Sequence, residues 1–363
     1  MKIALFCHSI ISDWNHGNAH FLRGVATELL ARGHEVRAFE PEDGWSIQNL
    51  IAEHGEEPVQ RFHAAFPHLS AIRYDPERLD LDEALDGVSL ALVHEWNAHE
   101  LVARIGCHRR RGGRYKLLFH DTHHRSVTDA ESMAAYDLSG YDGVLAFGEV
   151  IRERYVAFGW ARRAWTWHEA ADTRVFRLRC ATESAGDVVW VGNWGDDERT
   201  AELHEYLLNP VRQLRLRARV HGVCYPETAR QSLAEAGIEY AGWIANHEVP
   251  EVFGRYRATV HVPRGPYVSA LPGIPTIRVF EALACGIPLI SAPWNDVEGL
   301  FTPGRDFLCA RDGGEMQSQL RALMADESMR AEFTRRGLQA IQSRHTCAHR
   351  TDELLKVYGC LNN

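Results

Sequence analysis

Residues 272–293, PGIPTIRVFEALACGIPLISAP, constrain the fold more than any other stretch of the chain. They read as loop, helix, tight turn and buried strand. Pro275 suits the first turn of a helix, where its missing N–H has no intrahelical partner. Val279, Phe280, Leu283 and Ala284 then recur at helical spacing. Gly286 stands where the helix stops, and Pro288 follows just beyond it. Leu289 and Ile290 open a short apolar run of the kind buried on both faces of a parallel sheet.

The amino end of this helix carries the first functional signal. Gly273 precedes it, and the backbone around Thr276 and Ile277 reads as uncapped. Free N–H groups and the helix dipole together favour an anion, phosphate above all. Glu281 lies one turn further in and can accept hydrogen bonds from ribose hydroxyls. One element would then hold both parts of a nucleoside diphosphate. Taken alone, Glu281 equally fits the polar edge of an amphipathic helix.

The same alternation extends over the whole chain. In the first half, strands are expected at residues 2–8, 34–39, 71–74, 88–94, 115–119 and 143–147. Helices are expected between them at 19–32, 45–53, 98–110 and 149–158. After a less regular passage at 165–186 a second series begins. Its strands fall at 187–191, 216–221, 239–241, 259–262, 289–291 and 307–310. Its helices fall at 199–208, 315–325, 328–343 and 348–361, besides the one at 276–285. Repeated βα units imply doubly wound parallel sheets. A chain of 363 residues is long enough for two such domains, each with its own core. The expected class is therefore α/β with two Rossmann-like halves joined near 170–186.

Composition narrows the functions. A formal net charge of -9 argues against nucleic acid as the main partner. The basic run RIGCHRRRGGRYK, from Arg104 to Lys116, suits a solvated helix end, where cations complement the dipole. Peripheral contact with a membrane surface stays open there. No apolar run approaches the ~20 residues of a membrane span, and MKIALFCHS reads as strand one, so a cytoplasmic location is expected. Eight scattered cysteines without a C-x-x-C pair fit a reducing compartment better than a disulfide frame or a zinc site.

In doubly wound folds ligands sit outside the carboxyl ends of the strands, so the loops there are the candidates. The first, residues 9–18, is polar, and its Gly17 permits close backbone approach before a helix. It lacks the G-x-G-x-x-G dinucleotide fingerprint. Asp13 in this loop is a candidate base. His94-Glu95-Trp96-Asn97 and His120-Asp121-Thr122-His123-His124-Arg125 follow the fourth and fifth strands. Histidine is the side chain most easily tuned near neutral pH, and adjacent acids can orient it. His120, His123 and His124 with Asp121 or Glu95 form a zinc-like composition. H-x-x-H-H is not the helical H-E-x-x-H pattern, and no cysteine lies near, so no metal is expected. Arg264 precedes the 276–285 helix in sequence, and Arg278 lies in its first turn. A guanidinium fork matches phosphate oxygens, and a salt bridge to Glu281 or Asp296 is the alternative.

RVFEALACGIPLISAP resembles the donor-binding segment of GT-B glycosyltransferases. It is most similar to the branch with CgeB-like spore-maturation glycosyltransferases, beside glycosyltransferase family four. That family carries two glutamates with seven residues between them. The second matches Glu281, which the resemblance makes the ribose contact. The first falls on Gly273, a departure that leaves open how the sugar ring is held.

The resemblance implies a GT-B architecture, with two Rossmann-like domains facing a central cleft. Residues 1–170 would form the acceptor domain and 171–345 the donor domain. The last helix, 346–363, would cross back to the first. Gly17 resembles the glycine of the first GT-B loop. LLFHD resembles the segment whose histidine lies against the transferred sugar, which gives that role to His120 with Asp121 as its helper. In Val191-Gly192-Asn193-Trp194, continuing to Arg199, the matches are Gly192 and Arg199, with Arg199 near the diphosphate.

The implied activity is transfer of a sugar from a nucleotide-diphosphate sugar, UDP or GDP, to an unknown acceptor, without metal or other cofactor. Helix ends at Gly17 and at Thr276 and Ile277, with Arg199 and Arg264, would stabilise the leaving diphosphate. An inverting reaction needs a base such as Asp13 or His120; in a retaining one His120 contacts the sugar. The rivals are a sugar-nucleotide epimerase on the same fold and a nucleotide-sugar-binding protein without catalysis.

Overall fold

The computed structural model describes residues 1–179, 183–195 and 198–362. The chain divides into two compact units. The first comprises residues 1–169 and 347–363, and the second residues 170–346.

The first unit is built on seven parallel strands: β1 (Lys2–Phe6), β2 (Glu35–Pro41), β3 (Ala71–Tyr74), β4 (Leu90–His94), β5 (Lys116–Asp121), β6 (Gly143–Ala146) and β7 (Ala164–Thr166). Their order is β3-β2-β1-β4-β5-β6-β7. The central strands read KIALF, LALVH and KLLFHD and are buried almost throughout. Such continuous apolar runs are what a sheet covered on both faces requires. The chain runs outward from β1 to β3, then returns to lay β4 on the other side of β1. Loops 7–18 and 95–98 therefore emerge side by side at the switch point, where doubly wound sheets bind ligands.

The C-terminal helix Cys347–Asn362 belongs to this unit. It packs near the helix Ala19–Ala31, where Arg32 donates to Asp352 at 2.6 Å and to the Ala348 carbonyl at 3.1 Å. The Trp167 indole N–H donates to the Arg350 carbonyl at 2.8 Å.

The second unit holds six parallel strands: β8 (Gly186–Val191), β9 (Ala218–His221), β10 (Ile238–Tyr240), β11 (Tyr256–His261), β12 (Leu289–Ser291) and β13 (Leu308–Cys309). Their order is β10-β9-β8-β11-β12-β13, so the switch point lies between β8 and β11. The helix Ile277–Cys285 connects β11 to β12 and ends on Gly286 at φ +69°, the left-handed C-cap. It is buried on nearly every residue, so its amino end alone is placed to meet solvent or ligand.

Two local readings needed correction. The helix expected at 199–208 is an α-helix over Thr200–Leu203, a wide π-turn over His204–Leu208 and an α-helix over Asn209–Leu214. Pro210 does not end it, because it sits at the first positions of the last segment, where no N–H is needed. Strand β7 and the helices Glu57–Ala65 and Glu227–Glu235 lie outside the elements expected from the sequence, although both helices are amphipathic.

Candidate active-site residues

In the second unit the candidates gather at the carboxyl ends of β8 and β11. Thr276 is the N-cap of the Ile277–Cys285 helix, with extended backbone and no side-chain capping bond. Its hydroxyl lies instead 3.1 Å from Nε2 of His261, the last residue of β11. The expectation of an uncapped helix end thus acquires a cause. Glu281 is fully buried and accepts from Asn246 Nδ2 at 2.7 Å and from Arg278.

Arg199 is nine-tenths buried, and its guanidinium is pinned by backbone carbonyls. Nη1 donates to Val262 O at 2.9 Å, Nε to Trp194 O at 3.2 Å and Nη2 to Asn193 O. Its carbon lies 5.3 Å from the centre of the Trp190 ring. Among the described residues no carboxylate forms an ion pair with it. Burial, and then the charge of Arg264, lower its pKa to about 10, still far above neutral, so the cation persists. Arg264 is ion-paired with Glu198, while Asp296 accepts from the Leu300 and Phe301 N–H groups. Arg278 pairs with Glu281. Among the described residues, ion pairs set Arg264 against Glu198 and Arg278 against Glu281 and leave the Arg199 charge to backbone carbonyls.

Gly273 occupies φ +91°, and a Cβ there would lie 2.9 Å from Glu298 Cγ and Oε1. The backbone strains any residue but glycine at 273, and the Glu298 side chain would have to move to admit one. The departure at this position is thus built into the local structure.

In the first unit the 9–18 loop is held by two buried charges. Glu40, at the end of β2, accepts from Ser9 Oγ at 3.1 Å and from the N–H groups of Ile10 and Ile11 at 2.8 and 3.3 Å. Arg23 donates to the carbonyls of Ile10 and Ile11 at 2.7 and 2.6 Å and lies over the rings of Phe62 and Phe66. Its remaining nitrogen reaches Asp13 at 2.8 Å. Asp13, the candidate base, is thus held in place by Arg23. Gly17 leads into Asn18, whose side chain does not cap the helix but donates to Glu169 at 2.9 Å.

Four buried imidazoles stand in a row along the same edge. Successive ring centres are 5.4 Å apart for His8 and His16, 6.2 Å for His16 and His94, and 5.3 Å for His94 and His120. Burial lowers the pKa of His8 to about 4 and that of His120 to about 3; His16 and His94 are lowered as well. All four are neutral at pH 7. His120 packs between Phe21 and Trp167, and its buried Nε2 has no hydrogen-bond partner.

The expected pairing of His120 with Asp121 is not found. The two are consecutive on β5, and successive strand side chains point to opposite faces. Asp121 is bound by the Tyr155 hydroxyl at 2.9 Å and the His123 N–H at 3.0 Å. Beside it, Glu95 accepts from the Thr122 N–H at 2.8 Å. Burial raises Asp121 to about 6, and burial followed by the charge of Asp121 raises Glu95 well above the carboxylate range. These two acids brace the 121–125 turn. Among the described residues no three His, Cys, Asp or Glu side chains converge as a metal-binding set.

Sequence reasoning passed over Arg23, Glu40, Glu198, Asn246 and His261. A signal existed for Glu40 and His261, each a polar residue at the end of an apolar strand. Asn246 had none, since it meets Glu281 only through the tertiary fold.

Residues 199–356 match the family model described as glycosyl transferase-like. That stretch is similar to glycosyl transferases in sequence. Solved structures with the GT-B fold align with nearly the whole of this chain. A sucrose-phosphate synthase from Thermosynechococcus elongatus is 13% identical, with 99% of each chain covered and a TM-score of 0.66. Anabaena Alr3699/HepE, in complex with UDP and glucose, is 13% identical over 99% of this chain and 100% of its own, at a TM-score of 0.68. An alpha-glucosyltransferase in complex with UDP and a 13-mer DNA containing a HMU base is 11% identical over 99% of each chain, at 0.71. No curated protein sequence matches this chain. No helix among its described residues is long and apolar enough to cross a membrane.

Proposed function

We propose that the chain transfers a sugar from a uridine diphosphate sugar to a hydroxyl-bearing acceptor, with the donor on the second unit and the acceptor on the first. The observation that carries this reading is Arg199, a buried cation that pairs with no carboxylate among the described residues, near the uncapped end of the Ile277–Cys285 helix. UDP in the Alr3699/HepE and alpha-glucosyltransferase complexes supports uridine as the base.

In the transfer, the bond from the anomeric carbon to the diphosphate oxygen breaks as the acceptor oxygen bonds to that carbon. The sugar passes through an oxocarbenium-like transition state, and negative charge grows on the leaving diphosphate. Arg199 and the helix N–H groups stabilise that charge from fixed positions. They supply the electrostatic assistance that a divalent cation would otherwise give, in keeping with metal-independent transfer. Burial leaves His120 a weak base, with a pKa of about 3. In this reading an oxygen of the departing diphosphate takes the acceptor proton.

Glu281 is the ribose contact in this reading, its carboxylate oriented by Asn246 and Arg278. Thermal-shift measurements with UDP, GDP and dTDP sugars on wild type and Glu281→Ala test the assignment. A UDP sugar should stabilise the wild type and lose at least tenfold in affinity on the variant. No shift with any nucleotide would refute the donor site. Conversion of the donor sugar without release of UDP would favour the epimerase reading.

A further inference from the structure

His261 links three elements of the second unit. Its Nδ1 lies 2.8 Å from Ser291 Oγ, at the end of β12, and its Nε2 lies 3.1 Å from Thr276 Oγ1. Hydrogen counting fixes the direction of both bonds. The Ser291 hydroxyl has one hydrogen and donates it to the Ala292 carbonyl at 2.7 Å. Ser291 Oγ must then accept, so His261 carries its proton on Nδ1. Burial keeps the ring neutral, with a pKa of about 3. Nε2 is therefore a bare lone pair, and the Thr276 hydroxyl donates to it. The chain runs one way, from Thr276 through His261 and Ser291 to the backbone.

Thr276 has the residue type and the extended backbone of an ordinary N-cap, φ -75° and ψ 162°. A threonine so placed normally turns its oxygen onto the N–H groups of the first helical turn. Here the hydroxyl is engaged elsewhere, and no side-chain cap forms.

We propose that His261 is a positioning residue that holds the Thr276 hydroxyl off the first turn of the Ile277–Cys285 helix, keeping the Ile277 and Arg278 N–H groups open for the phosphate oxygens of the donor, while the Val279 N–H is taken by the Thr276 carbonyl at 3.0 Å. The inference rests on the donor-site reading above. Without His261, the threonine caps its own helix, and the diphosphate must displace it in order to bind.

Titration of UDP by calorimetry tests this on the full chain. Asparagine places its amide near the Nδ1 position, keeping Ser291 and losing Thr276; glutamine reaches the Nε2 position. His261→Asn should weaken UDP about five- to tenfold, the worth of one N-cap. His261→Gln should restore binding to within about twofold of wild type. In a Thr276→Ala background, where no hydroxyl can cap, His261→Asn should cause no further loss. Melting curves confirm that each variant is folded. Should His261→Asn not fold, Ser291→Ala loosens the same ring and should weaken UDP, again only while Thr276 is present. An equal loss in both backgrounds, or none in either, overturns the proposal and leaves the donor site standing. A wild type that binds no UDP overturns both.

Discussion

At the carboxyl edge of the first sheet, four neutral imidazoles stand in a row from His8 to His120; at the same edge of the second sheet stands Arg199, buried and charged. The two sheets share parallel topology and a switch point beside their first strand. The fold supplies the place, and the few residues at the strand ends set its polarity. In the first unit burial has stripped charge: the histidines are held unprotonated, and the acids Glu95 and Asp121 are held toward their protonated forms. In the second unit three backbone carbonyls keep a cation charged where water is scarce. One edge is suited to a neutral, hydroxyl-bearing partner and the other to an anion.

The sharpest way to break this contrast is to remove the cation. Arg199→Met should weaken UDP binding about 10- to 100-fold, measured by calorimetry, because a buried charge facing a diphosphate is lightly screened. Stability should fall by only ~1–3 kcal/mol, since the three carbonyls lose their donor while the burial of a charge is relieved. Arg199→Lys should not restore binding, because an ammonium cannot serve three divergent carbonyls as a planar fork does.

The next effect belongs to the first unit. His8 has a folded pKa of about 4, against an ordinary value of 6.5. The unfolded chain therefore takes up a proton below pH 6.5, while the folded chain resists until about pH 4. The stability this gives is complete above pH 6.5, is lost as pH falls toward 4 and changes no further below that. It amounts to ~3 kcal/mol. His8→Phe should flatten the acid limb of a melting-temperature profile by about that amount. A variant with an unchanged acid limb would show that His8 titrates normally.

The smallest change is expected at Glu95→Gln. Asp121, raised to about 6, and Glu95 favour the fold when protonated, so their contribution is lost as pH rises through that range. Glutamine retains the acceptor for Thr122 and has no charge to bury. Stability at pH 7 should change by less than ~1 kcal/mol, and the decline that begins near pH 4.5 should become shallower. A steeper decline would contradict the raised pKa of Glu95.

The sequence made much of the fold legible because periodicity and breakers agreed. In the 272–293 stretch, Pro275, the apolar spacing and Gly286 all pointed to one helix, and the helix Ile277–Cys285 and strand Leu289–Ser291 follow that reading. Agreement failed at residues 200–214, where the π-turn changes the period and Pro210 looks like a terminator. The candidate site was harder to read. Strand ends located its loops, and Arg199, Thr276 and Glu281 do cluster around β8 and β11. What each side chain touches depends on neighbours far along the chain. Arg23 binding Asp13, and Asn246 binding Glu281, join elements whose proximity only the tertiary fold sets. The His120–Asp121 pairing failed for a local reason that was available in advance, the alternation of faces along a strand.

The return of residues 347–363 to the first unit has a consequence for biosynthesis. A ribosome delivers all seven strands of that unit long before the helix that covers them. The Trp167 indole must await a carbonyl 183 residues downstream. The second unit emerges whole in the interval, so the usual order, with the amino-terminal domain finishing first, is reversed. Truncation near the carboxyl terminus would therefore harm the half of the protein that is made first.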